Sequence, residues 1–471
     1  MQAIAAPLYT ILILALFALD RDESSRTSKA LWIPVLWLGI VGSRPVSMWL
    51  QVTPQTQSPD QYLDGSPIDR YVFMGLLAAG LLVLVGRSVQ VGRLLRKNGL
   101  ILLFFSFCVL SALWSDYPDV TFKRWIKGIG DFVMVLLVLT ELAPGVAVKR
   151  LLARVGFVLI PLSILFIKYY PQLGRGFSQW TWSMFYMGVT VDKNQLGMIS
   201  MLFGLGAAWR FFTVLRDKSQ SHRRRHLLAQ GAVLAMALWI LWKANSVTAI
   251  ACFVMGATVL AVTNLFKLGR RPAAVHILVL AMMSFSLFVL FLAPASGVLE
   301  SMGRNPTLTG RTEIWSQVLP LNTNPLFGAG YESFWLGDRL KQVWSLYWWH
   351  PNEAHNGYLE VYLNLGWIGI TLLLLLMVKG YRNVVAAFRL DPESGSIRIA
   401  YFVVAVAYNF SESAFRMLNP IWIFFLLATT TVPVPSAPED GSLLSVERAE
   451  DFAEREVPVP AFSARLSGKN I

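Results

Sequence analysis

Two of the five histidines of the 471-residue chain, His350 and His355, lie in one polar segment, residues 294–357, between two apolar stretches. The same segment carries Arg304 and Arg311. An imidazole has an unperturbed pKa of about 6.5, so it can exchange a proton near neutral pH. A guanidinium binds phosphate or carboxylate oxygens in a bidentate way. These residue types predict proton transfer next to a bound anion.

The composition identifies the kind of protein that must position these side chains. The chain is 55% hydrophobic and 15% charged, with a mean hydropathy of +0.52, whereas soluble domains carry roughly 25% charged residues. Apolar stretches recur along residues 1–432, and because irregular backbone cannot face lipid, they predict helices. We expect an all-α polytopic membrane protein with about 12–13 transmembrane helices. One long external loop, residues 294–357, would contain short helices.

The net charge of +13 reflects topology and does not indicate nucleic-acid binding. Lys and Arg are much denser in one set of alternate loops than in the other, and the strongest signal is Arg223–Arg225. The positive-inside rule makes that set cytoplasmic, so the loop 294–357 should face the periplasm. Residues 433–471 are rich in Pro, Ser and Glu and predict a cytoplasmic, disordered tail behind the membrane domain 1–432.

Basic residues on the less favoured, external side carry information because the topology does not require them there. Interfacial snorkelling would explain each one separately. Taken as a set they favour an anionic ligand at the outer leaflet, since a lipid diphosphate headgroup needs several cationic donors. The set consists of Arg44, Lys123, Arg124, Lys127, Lys193, Arg304 and Arg311.

Several motifs follow one another along the chain. They are GSRPVSMWL, LWSDYPDVTFKRWIKG, GVTVDKNQLG, NSVTAI, NPTLTGRTEIW, NPLFGAGYESFW and AHNGYLE, with SES near the end. With these motifs the chain resembles the O-antigen ligase and polymerase superfamily of bacterial inner membranes, and within it the ExoQ-like exopolysaccharide proteins. The resemblance extends over about residues 40–415.

The resemblance implies a glycosyltransferase that uses no metal and no other cofactor and inverts the anomeric centre. Its donor would be a glycan on polyprenyl (undecaprenyl) diphosphate, and its acceptor a sugar hydroxyl. The external-loop histidine of the family matches His355, and its loop arginine matches Arg311. A second family arginine is absent, because the corresponding stretch, Asn245–Ala249, reads NSVTA. This departure favours the ExoQ-type polymerase over the lipid A–core ligase.

Roles can then be assigned to individual residues. His355 would be the base for the acceptor hydroxyl, since imidazole is available at neutral pH. Arg311 would stabilise the departing diphosphate, with the further diphosphate candidates Lys193, Arg124, Arg304 and Arg44. Candidates for the glycan are Glu332, Glu360, Asn356 and Trp349. Glu332 and Glu360 could instead orient His355 or make structural hydrogen bonds. His350 fits interfacial anchoring or sugar stacking, and Glu412 is a weaker candidate for the site.

Metal and nucleotide motifs are weak. Asp20-Arg21-Asp22 forms a DxD on the predicted cytoplasmic side, where it is better explained as a solvated end of a span. No His/Cys cluster has ligand spacing, and no Walker-type loop is present. Cys108 and Cys252 lie in apolar stretches and predict buried thiols.

Two other classes of function stay open. A transporter or flippase would place ionisable residues near the midplane and show repeats or broken helices. Here the middles of most apolar stretches lack charge, and no internal repeat is evident. A non-catalytic scaffold of an export complex would tolerate the loss of His355. The expected partners are the lipid-linked donor, the glycan acceptor, the bilayer and proteins of polysaccharide export or chain-length control.

Overall fold

The structure, a computed structural model, describes residues 2–21, 27–52, 63, 65–178, 182–218, 222–265, 272–287, 311–322 and 324–433. Within the chain, Met1–Thr431 forms one compact unit. Arg304 and residues 434–471 lie outside the described residues. The division of the chain at residue 432 and the cytoplasmic tail therefore stay predictions.

Helices account for nearly all regular structure in the described ranges. They are α1 (Gln2–Leu19), α2 (Trp32–Val41), α3 (Val46–Trp49), α4 (Pro67–Val85), α5 (Ser88–Lys97), α6 (Gly99–Leu110), α7 (Pro118–Leu139), α8 (Pro144–Tyr169), α9 (Pro171–Gly174), α10 (Lys193–Arg216), α11 (Arg223–Ala244), α12 (Val247–Leu265), α13 (Pro272–Leu287), α14 (Arg311–Val318), α15 (Gly337–Leu346), α16 (Gly357–Leu390), α17 (Pro392–Tyr408) and α18 (Pro420–Thr429). Short 3₁₀ helices lie at Lys29–Leu31 and Ser111–Leu113. An antiparallel pair, β1 (Arg175–Phe177) and β2 (Met184–Tyr186), aligns Gly176 with Phe185. The all-α class is confirmed.

The sequence marks the starts of these helices clearly. Proline begins α4, α7 and α8, because it lacks the N–H that a first turn leaves unpaired. The side chains of Asp192 and Asn356 accept hydrogen bonds from the first N–H groups of α10 and α16. Such caps satisfy donors that the helix itself cannot pair. Both caps stand beside the site described below.

The membrane-spanning character is confirmed by helix length and composition. Within the described part of the chain, six helices are long and apolar enough to cross a bilayer, namely α1, α4, α8, α10, α11 and α16. A seventh span would result if α5 were counted together with α6 and the 3₁₀ turn that follows it. The two parts of that span are bent by 87° relative to each other. Shorter apolar helices lie at Lys29–Val41, Val247–Thr263 and Pro420–Thr429. The total of about 12–13 spans stays a prediction.

The described part of the long loop, from residue 311 onward, is folded around its own apolar core and not extended over the surface. Helices α14 and α15 contribute most of that core, and the start of α16 closes it. Such a core holds the polar residues between its elements in fixed positions, because buried side chains pack at crystal-like density. Its buried members are Ile314, Val318, Phe334, Trp335, Leu340, Val343, Trp344, Ala354 and Leu363.

Gly366 lets this loop meet α16 at backbone distance. It interrupts the helix with φ 64° and ψ −163°, and a Cβ at this position would collide with the backbone of Leu326. The loop also contains a left-handed glycine, Gly328 at φ 70°, and a Cβ added there would collide with the backbone of Asn364. The N–H of Gly330 donates to the carbonyl of Asn364 at 2.8 Å. The NPLFGAGY motif thus packs the loop against α16.

We expect Gly366→Ala to lower the free energy of unfolding by at least about 2 kcal/mol. The strain of a left-handed alanine and the collision of its Cβ with the backbone of Leu326 both contribute to this loss. Thermal unfolding of the purified protein in detergent measures the effect. The matched control is Gly75→Ala in α4, where a Cβ would have no neighbour within 4 Å and the change should stay within about 1 kcal/mol. Equal melting temperatures for Gly366→Ala and the parent protein would contradict the prediction.

Candidate functional site

His355 lies in the turn that leads into α16 and has a left-handed backbone with φ 50°. The next residue, Asn356, fixes this turn. Its side-chain oxygen accepts from the N–H groups of Tyr358 and Leu359, each at 3.0 Å, and its amide donates to the carbonyl of Phe410 at 3.2 Å. Left-handed non-glycine residues cost energy and persist where the surroundings impose them, often at functional sites. Asn356 is therefore a cap in this structure, and its amide is engaged.

The imidazole of His355 lies between two carboxylates. Its Nδ1 is 3.0 Å from Oε1 of Glu353 and 3.6 Å from Oε2 of Glu412. Neither carboxylate oxygen is aligned with the ring well enough to form a hydrogen bond with Nδ1. The contacts are therefore ion pairs.

Arginines flank the two carboxylates and extend the arrangement in both directions. Nη2 of Arg311 is 3.2 Å from Oε1 of Glu412. Arg416 contacts Glu353 at 3.3 Å and Glu332 at 3.5 Å. Four separate segments thereby meet at one place: α14, the loop between α14 and α15, the turn before α16 and the turn between α17 and α18. We call this set the ion-pair chain; its members in spatial order are Arg311, Glu412, His355, Glu353, Arg416 and Glu332.

Charge strongly perturbs the protonation of the pair at its centre. Burial lowers the pKa of His355, but the nearby charge of Glu353, with a further contribution from Glu412, raises it to about 10. Burial raises the pKa of the Glu353 carboxyl, but the charges of His355 and of the two arginines hold it at about 2. At neutral pH the pair is thus imidazolium and carboxylate. An isolated imidazole has a pKa of about 6.5, and the contact with Glu353 raises the pKa of His355 above that value.

Two carboxylates predicted to bind glycan are occupied by internal contacts. Glu360 is buried and accepts from the indole N–H of Trp335 at 3.0 and 2.9 Å and from the backbone N–H of Ala354. Glu332 accepts the N–H of Met417 at 3.1 Å in addition to its ion pair. Both carboxylates therefore make structural contacts that hold the loops on either side of His355.

The amino end of α10 adds further polar groups at Glu412. The side chain of Asn194 donates to Oε1 of Glu412 at 3.4 Å. The preceding residue, Lys193, is exposed at the start of the helix. The hydroxyls of Thr248 and Ser411 are hydrogen-bonded at 2.9 Å. The motifs GVTVDKNQLG, NSVTAI and SES, far apart in sequence, thus converge next to AHNGYLE.

The other predicted cations are placed differently. Arg44 donates to the carbonyls of Thr190, Leu173 and Gly188, a bonding pattern that joins backbone segments. Arg124 donates to the carbonyl of Glu332 and lines a separate cavity. We therefore leave Arg44 out of the diphosphate set proposed below.

Aromatic residues of the loop also divide into two groups. Trp349 is half-buried against the loop core, with its ring 5.7 Å from that of Tyr347. Trp348 is 62% exposed and is the better placed of the two tryptophans to meet a sugar or a lipid headgroup. The ring of His350 stacks on Trp344 at 4.4 Å and is not a member of the ion-pair chain.

Sequence reasoning missed two members of the ion-pair chain and undervalued a third. Glu353 precedes His355 by two residues in HPNEAHNG, and this proximity was the available signal. Arg416 lies three residues after the end of SES but meets Glu353 only through folding. Glu412 was a weaker candidate, yet it joins Arg311 to His355.

Glu353, His355 and Glu412 could also hold a metal ion, because their ligand atoms all lie within 4.8 Å of one another. Carboxylate and imidazole suit several divalent ions. A metal would have to displace the imidazolium proton, since only neutral imidazole is a ligand. Arg311 and Arg416 already neutralise the carboxylates, and their charges would oppose a cation. The donor set therefore fits a metal poorly in this protonation state.

The helices and the ion-pair chain define a polytopic all-α membrane protein with a polar site under one folded loop. Comparison with known proteins finds similarity to one family. The model of the O-antigen ligase family matches residues 196–374, a range that contains Arg311, Glu353 and His355. The matches support the O-antigen ligase/ExoQ-like family and confirm the resemblance seen in the motifs.

Two curated relatives are similar over most of the chain. The “Exopolysaccharide production protein ExoQ” of Rhizobium meliloti is 25% identical over 311 residues, which cover 62% of this chain and 67% of the relative. The “Putative polysaccharide ligase” of Rickettsia felis is 22% identical over 352 residues, covering 70% of this chain and 80% of the relative. No solved structure matches the chain.

Proposed function

We propose that this protein is a polysaccharide polymerase that moves a glycan from polyprenyl diphosphate to a sugar hydroxyl at the outer face of the bacterial inner membrane. A lipid A–core ligase is the second candidate. The ion-pair chain around His355 is the observation that carries the proposal, because it joins cations for a diphosphate to carboxylates for a proton. The family supports a ligase or polymerase, and NSVTA in place of a second arginine favours the polymerase.

The reaction needs two kinds of help from the protein. A bond forms between the acceptor oxygen and the anomeric carbon, while the bond from that carbon to the diphosphate breaks. A single displacement of this kind inverts the anomeric centre. Negative charge grows on the leaving diphosphate, and the hydroxyl proton must pass to a base. Cations and a carboxylate at one place meet both needs.

The protonation states assign these tasks. His355 carries a proton at neutral pH, and the Glu353 carboxyl, with a pKa of about 2, is a poor base. We therefore assign the proton of the acceptor to Glu412. Arg311 would turn from Glu412 to the diphosphate, freeing the carboxylate at the moment the donor binds. The imidazolium of His355 would join Arg311 in stabilising the leaving group.

The remaining cations extend the diphosphate set. Lys193 is exposed beside Asn194, which contacts Glu412, so it can reach a headgroup placed at Arg311. We also include Arg304 among the diphosphate-binding residues, because it lies in the same loop of the sequence as Arg311. For the glycan, the exposed Trp348 joins Trp349 as an aromatic surface, since sugar rings pack on such faces. The loop would lie in the periplasm and residues 433–471 in the cytoplasm.

The test is transfer by the purified protein in nanodiscs, with the lipid-diphosphate-linked repeat unit of the host as the only substrate. We expect a ladder of lipid-linked oligomers whose yield is unchanged by a chelator, since fixed cations supply the charge that a metal would. Transfer only after addition of lipid A–core would establish the ligase. An intact substrate in both assays would reject the enzyme and favour a transporter or a scaffold, and loss of the ladder with chelator would reject metal independence.

A further inference from the structure

A second cationic site lies outside the ion-pair chain, between α2, α4 and α7. It is a cavity of ≈270 Å³, whereas the cavity at Arg416 and Glu360 holds only ≈20 Å³, about the space of a single water. Four basic side chains line the larger cavity: Arg70, Lys123, Arg124 and Lys127. The size of this cavity suits a headgroup and the first carbons of a chain.

Two lysines, Lys123 and Lys127, supply positive charge to this cavity. Among the described residues, Lys123 and Lys127 form no ion pair. Asp69 is close enough to influence Lys127 electrostatically, but both of its oxygens are used by Ser47, whose backbone N–H and hydroxyl donate at 3.0 and 2.5 Å. The cavity therefore favours a ligand with more than one negative charge.

The opposite wall of the same cavity is apolar. Trp37, Phe73, Met74 and Leu77 line it, and Met74 is 53% exposed on α4. Since α4 is one of the helices that can cross a membrane, this wall continues along a hydrocarbon-compatible surface. A free inorganic anion would leave this wall without a partner, whereas a lipid phosphate would cover it. The two walls together fit an amphiphilic anion.

The cavity adjoins the ion-pair chain through two residues. Met417 lines the cavity, and its N–H donates to the side chain of Glu332 at 3.1 Å. Arg124, from the same lining, donates to the carbonyl of Glu332. Glu332 in turn is ion-paired with Arg416 at 3.5 Å. A lipid headgroup in the cavity would thus stand beside the reacting centre but not within it.

We propose that this cavity binds the diphosphate and first isoprene units of the acceptor lipid, a second polyprenyl-diphosphate-linked glycan. The inference rests on the proposed polymerase. In polymerisation the donor diphosphate departs, while the diphosphate of the other substrate stays intact throughout. That second headgroup needs cations away from the bond that breaks, and Lys123 with Lys127 supply them. A ligase would have no use for such a second lipid diphosphate.

The test is the number of lipids bound to each chain, counted by native mass spectrometry after release from phosphatidylcholine nanodiscs loaded with undecaprenyl diphosphate that carries no sugar. We expect two lipids on the parent protein and one on the double variant Lys123→Gln/Lys127→Gln. Lys123→Arg/Lys127→Arg should restore two. The matched control, Lys29→Gln/Lys97→Gln, removes equal charge from the predicted cytoplasmic side and should keep two.

Competition identifies the source of the anion. Inorganic diphosphate or phosphatidylglycerol at the same concentration should displace neither lipid; displacement of the second lipid by either one would overturn the assignment to a polyprenyl diphosphate. In the transfer assay, the Gln double variant should raise the acceptor KM about tenfold or more, since charge-assisted contacts are lost. Two lipids bound to the Gln double variant would overturn the inference, even if the transfer assay gave a normal ladder. Two lipids bound to the parent protein without any ladder would reject only the polymerase.

Discussion

His355→Asn should reduce glycan transfer on the order of a hundredfold to a thousandfold, the usual effect of removing one group that stabilises developing charge. Asparagine tolerates the left-handed backbone found at this position, φ 50°, so the variant should fold and insert normally. Initial rates with the lipid-linked repeat unit measure the effect, with the melting temperature recorded alongside.

The chain provides a matched control in the same loop. His350 has nearly the same backbone conformation, φ 51°, but its ring stacks on Trp344 and it is not in the ion-pair chain. His350→Asn should therefore transfer glycan within about threefold of the parent, since a surface stacking contact is worth little. Equal losses from the two substitutions would show that the loop, and not the imidazolium of His355, had been disturbed.

The pH dependence tests the charge on His355 separately. A pKa raised to about 10 keeps the imidazole protonated at every lower pH. Transfer should therefore not decline as pH falls from about 8 to 6, whereas a neutral imidazole base with a pKa of about 6.5 would lose activity over that range. A decline of this kind in the parent that persists in Glu412→Gln would return the role of base to His355.

Glu412→Gln should give the second large effect, a loss in kcat on the order of a hundredfold to ten-thousandfold, as for the removal of a general base. The amide has the shape of the carboxyl but cannot take the proton of the acceptor. Binding of undecaprenyl diphosphate should be equal or tighter, because one negative charge less faces the headgroup and Arg311 is released from its ion pair of 3.2 Å. This split between kcat and affinity separates a base from a structural contact.

Glu313→Gln serves as the control for Glu412→Gln. Glu313 is exposed on α14, the helix that also carries Arg311, so the substitution removes the same charge from the same loop. Its kcat should match the parent. Weaker lipid binding by Glu412→Gln, with kcat preserved, would contradict the proton transfer assigned to Glu412.

The fold class followed from hydropathy because lipid allows few alternatives for the backbone. The exact spans did not follow as readily. Helices such as α17 and α18 are short and almost fully buried, and a buried helix has the same apolar composition as a lipid-facing one. The broken helix at Gly366 was also hidden, since its left-handed glycine only makes sense once the backbone of Leu326 is seen against it.

The residues of the site that lie in recognisable motifs could be predicted from the sequence. His355 and Arg311 were identified from AHNG and GRTEIW, and both lie in the ion-pair chain. Arg416 was not identified, because an arginine in a short turn has no signal until its two carboxylates are seen beside it. Glu360 was assigned to glycan, but its burial and its hydrogen bonds to Trp335 are properties of tertiary packing.

The protonation state of His355 could not be predicted from the sequence. An imidazole pKa depends on charges within a few ångströms, and Glu353 and Glu412 reach His355 from two separate turns. The charge of Glu353 raises the pKa of His355 only in the folded arrangement. The same arrangement is the reason why we propose Glu412, a weaker candidate in the sequence, as the group that accepts the proton.

The most direct test of glycan transfer at the ion-pair chain is to count undecaprenyl diphosphate released against glycosidic bonds formed, by phosphorus NMR and product sizing in one reaction. The parent protein should release one lipid diphosphate for each bond, and His355→Asn and Glu412→Gln should lose both products together. Lipid diphosphate released without new bonds, or bonds formed at parent rates by both variants, would contradict transfer at this site.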